Sequence, residues 1–192
     1  MAESGWLSEL PQGLPVPQDD GAAAHLRNMR MPRISLRSTR DRAVDVGDLG
    51  RSRTVIYIYP RTGRPDRPVP AEWDAIPGAR GCTPESCGFR DHFAEITRLG
   101  ANVFGLSTQH SDYQKEAAER LHLPFELLSD SDFALTDALR LPTFEFEGER
   151  LLKRLTLIVR DGRVEHVFYP VFPPDQHAET VFAWLSSHQE KG

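Results

Sequence analysis

Val55 to Tyr59 is a run of five apolar residues, and no apolar run in the chain is longer. A membrane-spanning helix needs about 20 such residues, so we expect no transmembrane segment. A continuous run of β-branched and aromatic residues is typical of a strand that is buried on both faces of a sheet. Pro60 ends the run. The sequence therefore predicts a layered protein in which helices cover both faces of a central sheet.

The segments that follow alternate between helical and strand-like patterns. The predicted helices are 84–99, 112–121, 132–139 and 174–187, and the predicted strands are 102–106, 125–128, 151–159 and 164–168. Asp161-Gly162 is a strong turn signal, so the last two strands are expected to form a hairpin. This order favours an α/β, thioredoxin-like fold, with a mixed central β-sheet flanked by helices.

The first 33 residues show little periodicity and are rich in proline and glycine, which predicts an irregular N-terminal arm ahead of a domain at 34–192. Four apolar side chains in the arm are candidates for docking on that domain: Trp6, Leu7, Leu10 and Leu14. Residues 61–81 hold four prolines and three glycines, and we expect no regular element in this inserted loop. Loops of this length in compact domains are often functional.

The charge balance is mildly acidic, with 23 basic and 28 acidic residues among 192 and a net charge of −5. Such a chain, without a basic stripe, is a poor candidate for nucleic-acid binding. Its first residues lack the charged start and apolar stretch of a signal peptide, so we expect a cytoplasmic protein with no membrane partner.

The two cysteines, Cys82 and Cys87, are too few for a disulfide framework, so they are either inert packing residues or a redox pair. Thr83-Pro84-Glu85 is typical of a helix start, with Thr83 as the N-cap. Cys82 would then lie at a helix N-terminus, where unpaired N–H groups and the helix dipole favour a thiolate and lower the thiol pKa. The spacing of the cysteines and scattered histidines supports no metal site.

A helix that includes both cysteines separates them. From about 100° and 1.5 Å per residue, Cys87 lies about 140° round the axis and ~7.5 Å along it from Cys82. Disulfides usually join Cα atoms about 4.4–6.8 Å apart. A disulfide would require the first turns to unwind, or a helix that begins later than placed here. The first option suggests a two-state cycle, in which the helix is intact for attack by Cys82 and locally unwound when Cys87 reacts.

The run Gly81-Cys82-Thr83-Pro84-Glu85-Ser86-Cys87-Gly88-Phe89-Arg90-Asp91 resembles the active-site helix of peroxiredoxins of the Q type, the bacterioferritin comigratory proteins. Other stretches follow in the order of that family, and the resemblance covers about residues 30–188. These stretches are Tyr57-Ile58-Tyr59-Pro60, Gly105-Leu106-Ser107-Thr108, Leu127-Leu128-Ser129-Asp130, Arg154-Leu155-Thr156-Leu157-Ile158 and Asp161-Gly162.

The resemblance implies a thiol-dependent peroxidase that reduces hydrogen peroxide and organic hydroperoxides. Cys82 matches the peroxidatic cysteine, which becomes a sulfenic acid, and Cys87 matches the resolving cysteine, which closes an intramolecular disulfide. A thioredoxin- or glutaredoxin-like donor would restore the dithiol. No metal or other cofactor is implied, and monomer and homodimer both remain open.

Arg154 matches the arginine that family members hold over the reactive sulfur, where a guanidinium stabilises a thiolate and the charge developing on peroxide oxygens. The alternative is a strand arginine that pairs with Glu145 or Glu147. Glu85 and Arg90 match family positions near the site.

The chain departs from the family at Ala79, where most members have a threonine or serine three residues before the reactive cysteine. We expect the hydroxyl of Thr62 or Thr83 to take its place. Two other functions remain open at this point: a protein thiol–disulfide oxidoreductase, which usually has a shorter Cys-x-x-Cys spacing, and a thioredoxin-fold binding protein that has lost activity.

Overall fold

The computed structural model describes residues 9–189 and contains a seven-stranded mixed sheet with helices on both faces. The strand order is β2-β1-β5-β4-β3-β8-β9, and β6 and β7 form a separate hairpin. The strands are β1 Ser35–Ser38, β2 Ala43–Asp45, β3 Thr54–Ile58, β4 Asn102–Ser107, β5 Glu126–Ser129, β6 Thr143–Phe146, β7 Glu149–Leu152, β8 Leu155–Arg160 and β9 Arg163–Phe168.

The helices are α1 Ala71–Asp74, α2 Cys82–Asp91, α3 Phe93–Arg98, α4 Ser111–Arg120, α5 Ala134–Leu139 and α6 His177–Ser187, the last preceded by a 3₁₀ turn at Pro174–Gln176. The central strand β3 is buried along its whole length, pairing parallel with β4 and antiparallel with β8. This arrangement confirms the predicted α/β class, the mixed sheet and the doubly buried strand.

Two apolar cores lie on the two faces of the sheet. One face packs against α2, α3 and α6 through Phe89, Ile96 and Val181. The other packs against α5 and the N-terminal arm, and the arm contributes Leu26 and Met31. The arm is irregular in its described part, with one isolated β-bridge from Arg30 to β9. Trp6 and Leu7 lie outside the described residues.

The predicted helix 84–99 is two helices, because His92 adopts φ −91° and ψ 1° between α2 and α3. The imidazole of His92 bonds the Glu95 carboxylate at 2.6 Å in the first turn of α3. The apolar residues keep the same helical spacing on both sides of His92. Their periodicity therefore could not predict that the helix is interrupted there.

The prediction of one strand over 151–159 is also wrong, because the chain forms two strands there. Residues up to Leu152 belong to β7 and pair with β6, whose turn at Glu147-Gly148 has positive φ at both residues. The chain leaves the hairpin at Lys153-Arg154 and enters β8 at Leu155. This break places Arg154 between two sheets rather than within a strand.

The loop at 61–81 contains one regular element, which corrects the prediction of none. Pro70 precedes the short helix α1, where its missing N–H costs nothing, and Trp73 of α1 is buried. Trp73 packs with Ala79 and Leu151 and lies 5.1 Å, centroid to centroid, from Phe146. The loop is therefore held against the β6–β7 hairpin by its own small core.

Among residues 9–189, no helix combines the length and the apolar character needed to cross a membrane.

Candidate active site

Helix α2 begins at Cys82, two residues before the predicted start. Its N-cap is Gly81 rather than Thr83, at φ 104°, a conformation that side chains rarely adopt. A Cβ at this position would also lie 2.4 Å from Cγ of Pro174. The first helical hydrogen bond runs from the Glu85 N–H to the Gly81 carbonyl at 3.0 Å. Because glycine has no Cβ, the first turn of α2, which carries Cys82, can pack closely against the 3₁₀ turn at Pro174–Gln176.

The Cys82 sulfur is enclosed and meets the guanidinium of Arg154. Its side chain is buried, with 3% of the residue exposed. Nη2 of Arg154 lies 3.1 Å from the sulfur, and the nearby backbone N–H of Arg61 also acts to lower the thiol pKa. The thiol itself points to the Ala79 carbonyl, 3.7 Å away. These donors suit a thiolate, since each favours the charged form of the sulfur.

The Arg154 guanidinium is fixed by the loop as well as by the helix. Its Nε donates to the Gly78 carbonyl at 3.2 Å. Nη2 donates to the Ala79 and Arg80 carbonyls at 3.2 and 3.3 Å. Nη1 donates to the Glu85 carboxylate, in an ion pair whose two side chains are buried. The alternative pairing with Glu145 or Glu147 is not found.

Burial dominates the electrostatics of this cluster. It raises the pKa of the Cys82 thiol, and neighbouring Glu85 adds to the rise while Arg154 opposes it. The predicted lowering of this pKa at the helix N-terminus is therefore wrong for the closed site. Burial also raises the pKa of Glu85 to about 7 against the opposing charge of Arg154. Oε1 of Glu85 is buried without a hydrogen-bond partner among the described residues.

The two candidate hydroxyls are both buried, and no hydrogen bond joins either of them to the Cys82 sulfur within residues 9–189. The Thr62 hydroxyl donates instead to Oε1 of Gln109 at 3.2 Å. Thr83 occupies the second position of α2. Ala79 contributes its carbonyl, which accepts from both the thiol and Arg154.

Cys87 lies further along α2 and is half-buried, and both thiols are free. Burial raises the pKa of Cys87, and the neighbouring Arg90 opposes that rise. Arg90 also donates to the Leu121 carbonyl at 3.0 Å, at the end of α4. The described helix is continuous from Cys82 to Asp91, the state in which the two sulfurs were predicted to stay apart.

Sequence reasoning missed the backbone groups of the site. The Arg61 N–H and the carbonyls of 78–80 carry no side-chain signal, because their positions depend on how the inserted loop folds. A cavity of about 610 Å³ is lined on the loop side by Arg61, Thr62 and Trp73 and on the opposite side by Gln109 and Tyr113; Cys82 and Arg154 do not line it. Within the described residues, no group of three or more histidine, cysteine or acidic side chains is arranged to hold a metal.

Comparison with known proteins gives a consistent result. The model of the Redoxin family matches residues 26–182. The chain is 30% identical over 166 residues to peroxiredoxin Bcp of Escherichia coli, covering 82% of this chain and 93% of that protein. It is 27% identical over 156 residues to the chloroplastic peroxiredoxin Q of Oryza sativa subsp. japonica, covering 81% of this chain and 64% of that one.

Two solved structures share the fold. One is peroxidoxin BcpB from Mycobacterium tuberculosis, with a TM-score of 0.68, 23% identity, and coverage of 85% of this chain and 98% of that one. The other is the bacterioferritin comigratory protein of Xanthomonas campestris, solved in a study of its alkyl peroxide reduction activity. It has a TM-score of 0.64, 21% identity, and coverage of 93% of this chain and 99% of that one. These matches confirm the predicted thioredoxin-like fold.

Proposed function

The chain belongs to the redoxin family, among the peroxiredoxins of the Bcp and Q type, and on that premise we propose the roles of its own residues in peroxide reduction. It is a thiol-dependent peroxidase. The observation that carries the proposal is the 3.1 Å contact between Nη2 of Arg154 and the sulfur of Cys82, at the first residue of a helix. The family assignment favours this activity over the two other functions considered from the sequence, a protein thiol–disulfide oxidoreductase and an inactive binding protein.

In the first step, the Cys82 thiolate attacks one oxygen of the peroxide O–O bond. That bond breaks, the sulfur becomes a sulfenic acid, and the other oxygen leaves as water or an alcohol after it takes up a proton. Arg154 stabilises the thiolate before the attack and the charge on the leaving oxygen during it. Its three carbonyl contacts and the Glu85 ion pair hold it in place, so it need not reorganise during the reaction.

In the second step, the Cys87 thiolate attacks the Cys82 sulfenic sulfur and displaces hydroxide, which leaves as water. A disulfide remains, and Cys82 is protected from irreversible oxidation. The rise of ~7.5 Å between these positions in a helix exceeds the span of a disulfide. The first turns of α2 must therefore unwind between the two steps, and the half-exposed position of Cys87 leaves it room to move.

A donor dithiol of the thioredoxin or glutaredoxin type would return two electrons to the disulfide by exchange. Such donors act in reducing compartments, and two free thiols are compatible with the cytoplasm. The inserted loop would shape the cavity that Arg61, Thr62 and Trp73 line for the organic group of larger hydroperoxides. The hydroxyl roles of Thr62 and Thr83 stay predictions.

Stopped-flow kinetics with hydrogen peroxide and with cumene hydroperoxide test the proposal. We expect a single-turnover reaction far faster than that of free cysteine, lost in Cys82→Ser. Cys87→Ser, on the same helix, is the matched control and should keep the first step. A wild-type rate no faster than that of free cysteine would contradict the peroxidase.

A further inference from the structure

Part of the N-terminal arm lies against the first turn of the active-site helix. We propose that residues 10–20 form a strap that restrains the first turn of α2, so that release of the strap limits how fast Cys82 reaches Cys87. The inference rests on the proposed function, because it concerns the unwinding between the two chemical steps. It assigns a task to a segment that precedes residues 26–182, the part that the Redoxin family model matches.

Leu10 occupies the space beside the N-cap of α2. A Cβ placed on Gly81 would lie 2.8 Å from Cδ2 of Leu10, and it would also collide with Pro174. Pro174 is buried in the 3₁₀ turn before α6, whereas Leu10 is half-buried on a segment, 10–20, that contains no helix or strand. Gly81 is therefore enclosed by the domain and by the strap, and the strap is the easier of the two to displace.

A second contact of the strap is with Gly78, three residues before the N-cap. A Cβ placed on Gly78 would lie 3.4 Å from Cγ of Pro17. The Gly78 carbonyl accepts from Nε of Arg154 at 3.2 Å, and Pro17 and Arg154 line the same cavity of about 250 Å³. The strap thus covers both ends of the segment 78–81, which holds Arg154 and leads into Cys82.

Asp20 fastens the end of the strap to the domain. Its Oδ2 accepts from Nζ of Lys153 at 2.6 Å, and its Oδ1 accepts from the Tyr169 hydroxyl at 2.7 Å. These bonds hold the pKa of the Asp20 carboxyl well below its usual range, so the anchor keeps its charge. Lys153 directly precedes Arg154, which places the anchor next to the site. Because both charged side chains are partly exposed, we expect this ion pair to contribute less than the Leu10 contact.

The strap opposes the movement that the second step requires. Unwinding of the first turn breaks the 3.0 Å bond from the Glu85 N–H to the Gly81 carbonyl and frees Gly81 and Cys82 to move. While the strap is in place, Leu10 and Pro174 leave Gly81 little room to do so. Displacing Leu10 exposes apolar surface to water, and this adds to the free energy of unwinding. The strap should therefore slow disulfide formation without altering the attack on peroxide.

The rate of unwinding decides the fate of the Cys82 sulfenic acid. In one route Cys87 attacks its sulfur, the S–S bond forms and the oxygen leaves as water. In the other route the sulfur attacks the O–O bond of a second peroxide and takes one oxygen, which yields a sulfinic acid and releases water or an alcohol. A tighter strap gives the second peroxide more time, so the strap sets the sensitivity of the enzyme to over-oxidation.

Amide hydrogen exchange in the reduced, full-length chain tests the strap without any peroxide. Leu10→Ala should speed exchange of the amides at 85–87 about tenfold, because it removes most of the apolar contact with the first turn. Asp20→Ala should speed it about threefold, since a partly exposed ion pair contributes less. Val16→Ala is the matched control, because Val16 lies on the same segment with 62% of the residue exposed, and it should change nothing.

The second measurement is the fate of Cys82 in the same variants. After one equivalent of hydrogen peroxide, disulfide formation in Leu10→Ala should be faster by the same factor as the exchange. At excess peroxide the fraction of Cys82 recovered as sulfinic acid should fall, as determined by mass spectrometry. The rate of sulfenic acid formation, measured with Cys87→Ser as the background, should not change.

Unchanged exchange at 85–87 in both Leu10→Ala and Asp20→Ala would overturn the strap. Equal acceleration in Val16→Ala, or in the amides of α4, would also overturn it, because the effect would then not depend on the contact with α2. Faster exchange with an unchanged rate of disulfide formation would overturn the role of the strap in the second step. A wild-type chain that does not react with peroxide would contradict the proposed function, and the exchange result would still decide whether the strap restrains α2.

Discussion

Cys82 and Cys87 lie on one helix and within six residues of each other, yet their surroundings differ in almost every respect. Cys82 is buried, with the fixed guanidinium of Arg154 on its sulfur. Cys87 is half-buried, and the charge that opposes its burial comes from Arg90, a side chain that is itself partly exposed. The first environment encloses its thiol and holds one guanidinium against the sulfur, and the second leaves its thiol partly exposed.

This difference matches the two demands of the reaction. A nucleophile that attacks peroxide benefits from donors that are in position before the substrate arrives. A resolving thiol must instead travel, because the intact helix keeps it too far from its partner. One helix therefore holds a buried thiol that reacts in place and a partly exposed thiol that reaches it only when the helix unwinds.

The largest effect is expected from removing the guanidinium. Arg154→Met should lower the peroxide rate constant about 10²–10³-fold, the usual loss when a charge-stabilising donor is removed. It should also destabilise the protein by about 1–3 kcal/mol, because the buried Glu85 carboxyl loses its partner and takes up a proton. Stopped-flow kinetics and denaturant unfolding measure the two effects. Lys153→Met, at the adjacent surface position, is the control.

The double variant Arg154→Met with Glu85→Gln separates these effects. Glutamine cannot ionise and needs no proton uptake, so the double variant should regain part of the free energy of unfolding while the peroxide rate stays low. Recovery of the rate together with stability would show that Arg154 acts only through folding.

The next prediction concerns Glu85 alone and the pH dependence of stability. Its pKa is raised to about 7 in the folded protein, above the ordinary value of 4.5, so between these values the folded state binds more protons than the unfolded state. The free energy of unfolding should therefore fall as pH rises from about 4.5 to 7, by on the order of 3 kcal/mol. Glu85→Gln should remove this fall in denaturant titrations, and a persistent fall would assign it to another group.

A smaller effect should come from stabilising the helix that must unwind. Gly88→Ala adds a Cβ that meets Ala178 and Asp175 at 3.4 Å, within ordinary contact distance. Alanine favours a helix interior over glycine by about 1 kcal/mol, so disulfide formation should slow about fivefold. Sulfenic acid formation at Cys82 in the same variant is the internal control and should not change. Equal slowing of both steps would contradict local unwinding.

Single residues show which parts of the fold and of the site could be predicted from the sequence. The run at Val55–Tyr59 was enough to predict the central strand. Five consecutive β-branched and aromatic residues are a local signal of a strand that is buried on both faces. The position of Cys82 at a helix start was also correct, although the cap is Gly81, where a positive φ and the lack of room for a Cβ beside Pro174 favour glycine. Local patterns therefore located the helix but not its first residue.

The electrostatics and the backbone donors depend on tertiary structure. The position of Cys82 at a helix N-terminus predicted a lowered thiol pKa. In the folded protein burial raises this pKa instead. Likewise, the partner of Arg154 is Glu85 rather than a glutamate of the hairpin, because the chain leaves β7 immediately before Arg154. Both the burial of a side chain and the path of a long loop depend on contacts with distant parts of the chain. One segment of sequence does not contain that information.

The most direct test of the division between the two cysteines is mass spectrometry after one equivalent of hydrogen peroxide, with dimedone present to trap sulfenic acid. The wild-type chain should yield a peptide linked by a Cys82–Cys87 disulfide. Cys87→Ser should yield the dimedone adduct on Cys82, and Cys82→Ser should yield neither product. An adduct on Cys87 in Cys82→Ser, formed at the wild-type rate, would contradict the assignment of the sealed thiol as the one that attacks.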